Sequence, residues 1–516
     1  MQEINVLPEL TSWYGPWQGV PAVVTGLGVS GFSAADTLIE LGAKVVVVDG
    51  ADHQENQAKA ETLRIVGAHE VLLGEEHLDA IPSVDGESPQ LIVTSPGWRP
   101  DQPLLAAATA AGIPVFSDVE LAWRVQDKWA NSQDPAERAP LPQWIGLTGT
   151  NGKTSTVGLA ESMLLAAGKR AIACGNVGVP VLDAIRDPAK FEVLALELSS
   201  FQLHWSDSLS FHAAAVLNLA EDHVDWHGSY DAYVAAKAKI YHQAQLACVY
   251  NADQPATTTL VEEADVVEGA RAIGFTTNTP ALSMLGLVDD ILVDRAYLVE
   301  RKTQALELAR FEDFTTPPAQ HMVANALAAA ALVRALDVPP EAIRAGIQNY
   351  EPGAHRMQLV AKAEDVLWVN DSKATNPHAT DASLRGFKNI IWIAGGLSKG
   401  VDYQQLIKAN AERLQSVILI GTDIAGLQDA LAKHAANVPV TLIEQNPEAF
   451  MDKNAYGRAV MAAAVAQADQ NATADSTVLL APAAASMDQF TSYETRGQAF
   501  IDAVADLMEA KGFPRA

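Results

Sequence analysis

One short segment constrains this chain more than any other: Gly149-Thr150-Asn151-Gly152-Lys153-Thr154. It follows an apolar run at residues 144–147 and precedes a helical pattern from about Ser155. A strand, a glycine-rich turn and a helix in that order call for a parallel, helix-covered sheet, in which the turn opens onto the helix N-terminus. The glycines free backbone N–H groups to wrap a phosphate, and the helix dipole favours the negative charge. In such a P-loop Lys153 reaches the β- and γ-phosphates and the Thr154 hydroxyl binds Mg²⁺. The strict pattern has glycine where this chain has Leu147. A plain glycine-rich turn is the alternative, and the flanking strand and helix favour phosphate.

Two more α/β blocks flank this one. The first has strands at 21–25 and 44–49, with Gly26-Leu27-Gly28-Val29-Ser30-Gly31 and a helix through residue 41 between them. Asp49 ends the second strand at the spacing of a ribose-binding carboxylate, so taken alone this block supports a dinucleotide-binding fold and an NAD-dependent oxidoreductase. No Tyr-x-x-x-Lys pair follows that would supply the hydride-transfer acid. Ser95-Pro96-Gly97, after a strand at 91–94, is placed to line the same crevice. The last block has strands at 366–370, 389–394, 416–421, 440–443 and 477–481. It carries His355-Arg356, Asn370-Asp371-Ser372-Lys373-Ala374-Thr375-Asn376 and Gly395-Gly396-Leu397-Ser398-Lys399-Gly400. Arg356, Lys373 and Lys399 are cations beside polar or glycine-rich backbone, suited to phosphate or carboxylate. Together the blocks suggest a bilobed site that closes over ATP and a small anion.

These features divide the 516 residues into three domains, 1–140, 141–353 and 354–516. That number suits a chain of this length. Residues 126–142, with Pro135, Pro140 and Pro142, read as a linker or exposed extended loop. Short strand signals across 272–311 suggest a small side sheet. The fold class is therefore α/β, with Rossmann-like terminal domains around a P-loop domain. The 35 Lys and Arg against 63 Asp and Glu give a net charge of −28, which disfavours a general binder of nucleic acid or anionic membranes. Two cysteines, Cys174 and Cys248, make no disulfide framework. No secretory signal or uninterrupted membrane-length apolar run is visible, so a cytoplasmic protein without membrane insertion is expected.

In the central block Glu197 and His223 stand at carboxyl ends of strands, where ligands bind in open α/β sheets, and both side chains ligate divalent ions. His223 and His227, four apart, leave a zinc pair open, although Val224 occupies the HExxH glutamate position. Lys237 and Lys239 lie in the helical run DAYVAAKAKIYHQA, where exposed lysines are the ordinary reading.

GTNGKT, ELSSFQL, EDHVD, AAKAKI, HR, NDSKATN, GGLSKG and APAAASMDQFTSYETRG follow one another along the chain. In that order they resemble the Mur ligase family over essentially the full length. GTNGKT is shared with folylpolyglutamate synthases; ELSSFQL, NDSKATN and SxDQFxxxExRG discriminate. The resemblance implies an ATP- and Mg²⁺-dependent ligase, a monomer, that adds D-glutamate to UDP-N-acetylmuramoyl-L-alanine; a related ligase using another amino acid is the alternative. It places Val29, Ser30, Asp49, Ser95 and Asn176 by the UDP substrate. It places Gly149, Thr150, Asn151, Gly152, Lys153, Thr154, Asn325, Arg356 and Asp371 around ATP. Lys373, Thr375, Lys399, Ser486 and Tyr493 fall around D-glutamate. Thr154, Glu197, His223 and Lys237, the last as an N6-carboxylated lysine, are implied metal ligands, with Lys153, His223, Lys237 and Arg356 catalytic. This chain departs from the family pattern at Met322, where an HNxxN asparagine is usual, and at Tyr493, often phenylalanine.

Overall fold

A computed structural model of the chain describes residues 9–315, 318–351, 353–398 and 400–513. It forms two units, the first carrying two sheets and running to Tyr350, the second beginning essentially at Glu351. The first sheet has the order Glu70–Leu73, Lys44–Asp49, Pro21–Thr25, Leu91–Thr94, Val115–Ser117, all parallel. Its inner strands are buried along nearly their whole length and read as continuous valine-rich runs, because a parallel sheet is covered on both faces. Strand order reverses between Pro21–Thr25 and Leu91–Thr94, which opens a crevice at their carboxyl ends.

The second sheet has nine strands: Leu306–Arg310, Ile291–Asp294, Met284–Val288, Arg271–Phe275, Ala247–Asn251, Ala213–Val216, Gln143–Thr148, Val193–Glu197 and Ala171–Gly175. The expected side sheet does form, but as the edge of this main sheet. Met284–Val288 pairs with Arg271–Phe275 through Gly274 and Phe275, and the last two strands continue antiparallel. The alanine-rich helix Gln320–Arg334 is buried from Ala326 through Val333. Each large aliphatic side chain so buried contributes about 1.5–3 kcal/mol.

The first two blocks form one unit because their cores join. Fully buried Trp144 of the central sheet meets Trp123 of the first block edge-on at 5.2 Å. Of residues 126–142, the part through Ser132 is docked, while most of 133–141 is an exposed loop as expected. Trp129 donates its indole N–H to the Ile185 carbonyl (2.8 Å), Lys190 Nζ lies 4.9 Å over its ring, and Asp127 accepts from the Trp13 amide (2.6 Å). Proline and charge content conceal the anchoring effect of a single tryptophan.

The second unit has the order Gln358–Ala363, Val366–Asn370, Thr477–Leu480, Ile390–Ala394, Leu414–Leu419, Val440–Leu442. Only the first strand is antiparallel. The helices Lys453–Asn471 and Tyr493–Ala510 pack on each other and on this sheet. No helix among the described residues is long and apolar enough to cross a membrane.

Candidate active site

Parallel strands deliver their carboxyl-end loops to one side of a sheet. In the central sheet this brings together the P-loop after Gln143–Thr148, Asn176 after Ala171–Gly175, Glu197 ending its strand, and the 217–223 loop after Ala213–Val216. Gly152 caps the helix Lys153–Ala166 with φ +83°, a left-handed conformation suited to glycine. A Cβ there would lie 2.5 Å from Asn325 Oδ1, so Asn325 rests directly against the P-loop.

Polar pairs hold the loop open. The Asn151 amide donates to Asn218 Oδ1 (2.8 Å), and Asn218 Nδ2 donates back to the Asn151 carbonyl (2.9 Å). Thr150 Oγ1 shares a hydrogen bond with Tyr233 Oη (2.8 Å) and accepts from the Ala220 amide (2.9 Å). Lys153 Nζ donates to the carbonyls of Gly149 (2.9 Å) and Thr150 (3.0 Å), holding its charge over the loop.

Glu197 is buried, and its hydrogen bonds come from neutral donors. Thr154 Oγ1 donates to Oε2 (2.6 Å) and Asn176 Nδ2 to Oε1 (3.2 Å). His223 is left-handed (φ +52°), and its ring packs edge-on against Phe201 at 4.7 Å. His227 is turned away, with Nε2 2.9 Å from Ser200 Oγ, and among the described residues no three His, Cys, Asp or Glu side chains gather into a cage. The Thr154 hydroxyl on the buried Glu197 carboxylate, beside the glycine-rich turn, is an oxygen donor pair of the kind Mg²⁺ takes. That ion takes few protein ligands and completes its shell with phosphate oxygens and water.

Lys237 departs from the ordinary exposed-lysine reading. It is 2% exposed, and Nζ donates to Thr148 Oγ1 (3.1 Å) and the Gly149 carbonyl (2.9 Å) beneath the P-loop. Burial, reinforced by the charge of Lys153, drives its amine well below the usual lysine range, against the pull of Asp222 and Glu197. Lys239 is the partly exposed one and pairs with Asp207 at 2.8 Å.

In the first block Asp49 accepts from the amides of Leu27 (2.6 Å) and Ala51 (2.8 Å). Its carboxylate therefore shapes the glycine-rich turn, each oxygen accepting one backbone amide. Val29 is exposed at the turn and begins the helix Val29–Glu40, Ser30 is its second residue, and Ser95 lies across the crevice with Oγ 3.4 Å from the Gly26 carbonyl. Buried Asp118 accepts from Gln202 Nε2 (3.1 Å) and from the Ser30 hydroxyl, while Gln202 Oε1 accepts from the Ser199 amide. This chain links the crevice to the loop after Glu197.

In the second unit, Arg356 follows buried, left-handed His355, whose Nδ1 lies 2.9 Å from Asn370 Nδ2. Asp371 turns inward, accepting from the Met357 amide (3.2 Å) and the Ser383 hydroxyl, and burial lifts its carboxyl to about 6. Lys373 Nζ lies 3.8 Å from the Tyr493 ring centroid, a cation–π contact. The Thr375 amide donates to the Lys373 carbonyl (2.8 Å), and Ser486 is buried at the start of the turn leading to Phe490. Lys399 lies outside the described residues.

Tyr233, Asn218, Gln202, Asp118 and Arg496 carry no role in the sequence reading. Tyr233 was within reach, since it lies one helical turn from Lys237 on the same face. Gln202 and Arg496 stand in the motifs ELSSFQL and SxDQFxxxExRG without an assigned role, and Asn218 and Asp118 pair across long sequence separations.

Three family models match in chain order: "Mur ligase MurD-like, N-terminal domain" over 21–117, "Mur ligase middle domain" over 147–333 and "Mur ligase, glutamate ligase domain" over 355–484. The UDP-N-acetylmuramoylalanine–D-glutamate ligase of Leifsonia xyli subsp. xyli is 50% identical over 511 residues, 97% of this chain and 95% of that one. The ligase of the same name from Streptomyces avermitilis is 49% identical over 491 residues, 95% of this chain and 99% of that one. Among solved structures, MurF from Acinetobacter baumannii shares the fold at a TM-score of 0.55 and 16% identity, covering 95% of this chain and 94% of that one. A MurF ligase from Thermotoga maritima, in complex with ADP, does so at 0.52 and 14% identity, covering 91% and 96%. With matching models in all three regions and half-identical relatives along its length, the chain belongs to the Mur ligase family.

Proposed function

We propose that the chain is an ATP-dependent ligase that joins D-glutamate to UDP-N-acetylmuramoyl-L-alanine through an acyl phosphate, in cytoplasmic peptidoglycan precursor synthesis. The observation that carries this reading is the convergence of the P-loop, Asn176, Glu197, His223 and Lys237 at neighbouring strand ends, in a chain about half identical to ligases named for that reaction. A monomer acting without membrane insertion completes the proposal.

In the first step a substrate carboxylate oxygen attacks the γ-phosphorus of ATP, the bond to the β-phosphate oxygen breaks, and ADP leaves. Little covalent help is needed; positioning and charge neutralisation dominate. The amides of Gly149–Lys153 wrap the phosphates, and Lys153, now resting on two loop carbonyls, transfers its hydrogen bonds to phosphate oxygens. Asn325, against Gly152, flanks the nucleotide. Thr154, Glu197 and His223 would hold Mg²⁺, which would neutralise phosphate charge when bound. Sealed beneath the P-loop with a depressed amine pKa, the neutral Lys237 Nζ is suited to add CO₂ with release of one proton to solvent, and the anionic carbamate so formed would serve as a ligand for a second ion.

In the second step the amine of D-glutamate attacks the acyl carbon, phosphate leaves with the bonding electrons, and the amine loses a proton. Val29, Ser30, Asp49, Ser95 and Asn176 are assigned to the UDP substrate. Arg356 and Asp371 are assigned to ATP, and Lys373, Thr375, Lys399, Ser486 and Tyr493 to the amino acid.

The test is phosphate release with UDP-N-acetylmuramoyl-L-alanine against a panel of D- and L-amino acids. Strict dependence on D-glutamate is the expected result, and equal response to another amino acid rejects the assignment. The carbamate predicts a ¹³C resonance after equilibration with labelled bicarbonate that vanishes in Lys237→Ala.

A further inference from the structure

Arg496 is fully buried, on the first turn of the helix Tyr493–Ala510. Its Nε donates to Ser372 Oγ (3.0 Å), Nη2 to the Ser372 carbonyl (2.9 Å) and Nη1 to the Ala484 carbonyl (3.1 Å). All these acceptors are neutral. A Cβ on Gly396 would lie 3.3 Å from Nη1, so the guanidinium also sits under the Gly395–Gly396 turn.

These contacts fall on three loops. They leave the carboxyl ends of Val366–Asn370, Thr477–Leu480 and Ile390–Ala394, which are adjacent strands. The first loop carries Lys373 and Thr375, the second Ser486, and the third runs on toward Ser398. The helix turn that supplies Arg496 also supplies Tyr493, whose carbonyl accepts from Ser372 Oγ (2.8 Å) and whose ring holds Lys373. One planar fork thus hydrogen-bonds the loops of Lys373 and Ser486 and lies beside the Gly395–Gly396 turn. A lysine ammonium cannot hold such separated oxygens in a fixed plane.

A buried cation without a paired acid is costly and persists where its charge has a use. Burial pulls this guanidinium down to about 9, opposed by the charge of Asp488. The surrounding loops also carry Asp371, Asp488 and Glu494, and the guanidinium sets a positive charge beneath them.

We infer that Arg496 is a positioning residue for the amino-acid substrate: it sets the spacing of the loops bearing Lys373 and Ser486, and its charge beneath them favours an amino acid with an anionic side chain. The inference rests on the ligase reading above. It concerns a residue that touches the loops and not the substrate.

The test uses full-length wild-type, Arg496→Lys and Arg496→Met enzymes, with phosphate release measured while D-glutamate, ATP and the UDP substrate are varied in turn. The expected result is a KM for D-glutamate raised about tenfold or more in both variants, most in Arg496→Met, with the other two KM values within about twofold of wild type. A fall in kcat at unchanged KM for D-glutamate is what a smaller folded fraction produces, and it overturns the inference. So does a common rise in all three KM values. Should Arg496→Met fail to fold, Arg496→Lys decides by the same comparison. If wild-type enzyme responds to a different amino acid, the ligase assignment fails, and the KM comparison is then read on that amino acid. An uncharged side chain in it overturns the electrostatic part of the inference.

Discussion

The carboxyl-end loops of the central sheet and those of the last sheet are opposites in charge design. Under the first lies Glu197, a buried carboxylate whose hydrogen bonds come from a neutral hydroxyl and a neutral amide. Under the second lies Arg496, a buried guanidinium whose hydrogen bonds go to neutral oxygens. The same parallel-sheet architecture therefore buries a carboxylate beside Lys153 and Lys237 at one set of strand ends and a guanidinium at the other. Acids and lysines exchange roles accordingly. Lys237 is sealed under the P-loop without a carboxylate hydrogen bond, whereas Asp371 in the last sheet is turned inward onto an amide and a hydroxyl. Fold class alone does not say what such a mouth binds; the side chains buried beneath it narrow the choice.

Breaking the central side of this contrast has the largest expected effect. Lys153→Ala lowers ADP formation by about 10³-fold or more while calorimetric binding of the UDP substrate persists, since only phosphate stabilisation is lost. Unchanged turnover removes the P-loop from the mechanism. Glu197→Gln keeps the hydrogen-bonding shape and removes the charge. Titration of activity with Mg²⁺ is expected to shift upward by roughly 100-fold, and an unshifted curve shows that the buried acid faces no cation. Lys237→Ala is expected to cost roughly 100-fold in kcat with altered metal dependence; full activity would leave Lys237 a purely structural amine.

The acid of the last sheet gives a subtler test. Burial raises the Asp371 carboxyl from 3.8 to about 6, so the folded unit binds its proton more tightly than the unfolded chain does. Stability should then fall as pH rises from about 4 to about 6 and stay low above that, by about 3 kcal/mol in all. Calorimetric melting of Asp371→Asn across that range is expected to lack this slope. A wild-type slope in the variant places the titration elsewhere. The smallest effect belongs to Tyr233→Phe. Losing its bond to Thr150 should cost about 1 kcal/mol of stability and raise the KM for ATP a few-fold. An unchanged melting temperature would show that the Asn151–Asn218 pair holds the loop unaided.

Much of this molecule is readable without coordinates. Valine and isoleucine runs announce the inner parallel strands, because burial on both faces demands continuous apolar sequence. Edge strands such as Glu70–Leu73 and Gln358–Ala363 escape notice because they are only partly buried and mixed in polarity. Gly149–Thr154 announces a phosphate cradle because left-handed backbone and free amides need glycine at defined places. Lys237 illustrates the limit. Its helix has a weak amphipathic pattern, so composition left it an exposed lysine, and only the resemblance pointed inward.

Local physics thus determined the three α/β blocks, the order of the glycine-rich turns and the positions of the reactive cations. Those properties depend on residues a few places apart, where backbone geometry and burial periodicity act. Tertiary structure alone decided which charges are buried and against what. Glu197 meets Asn176 across 21 residues, Lys237 reaches Thr148 across 89, and Arg496 holds Ser372 across 124. Such pairings follow from strand order and helix docking, and desolvation, which gives a buried charge its strength, exists only once the sheet is assembled.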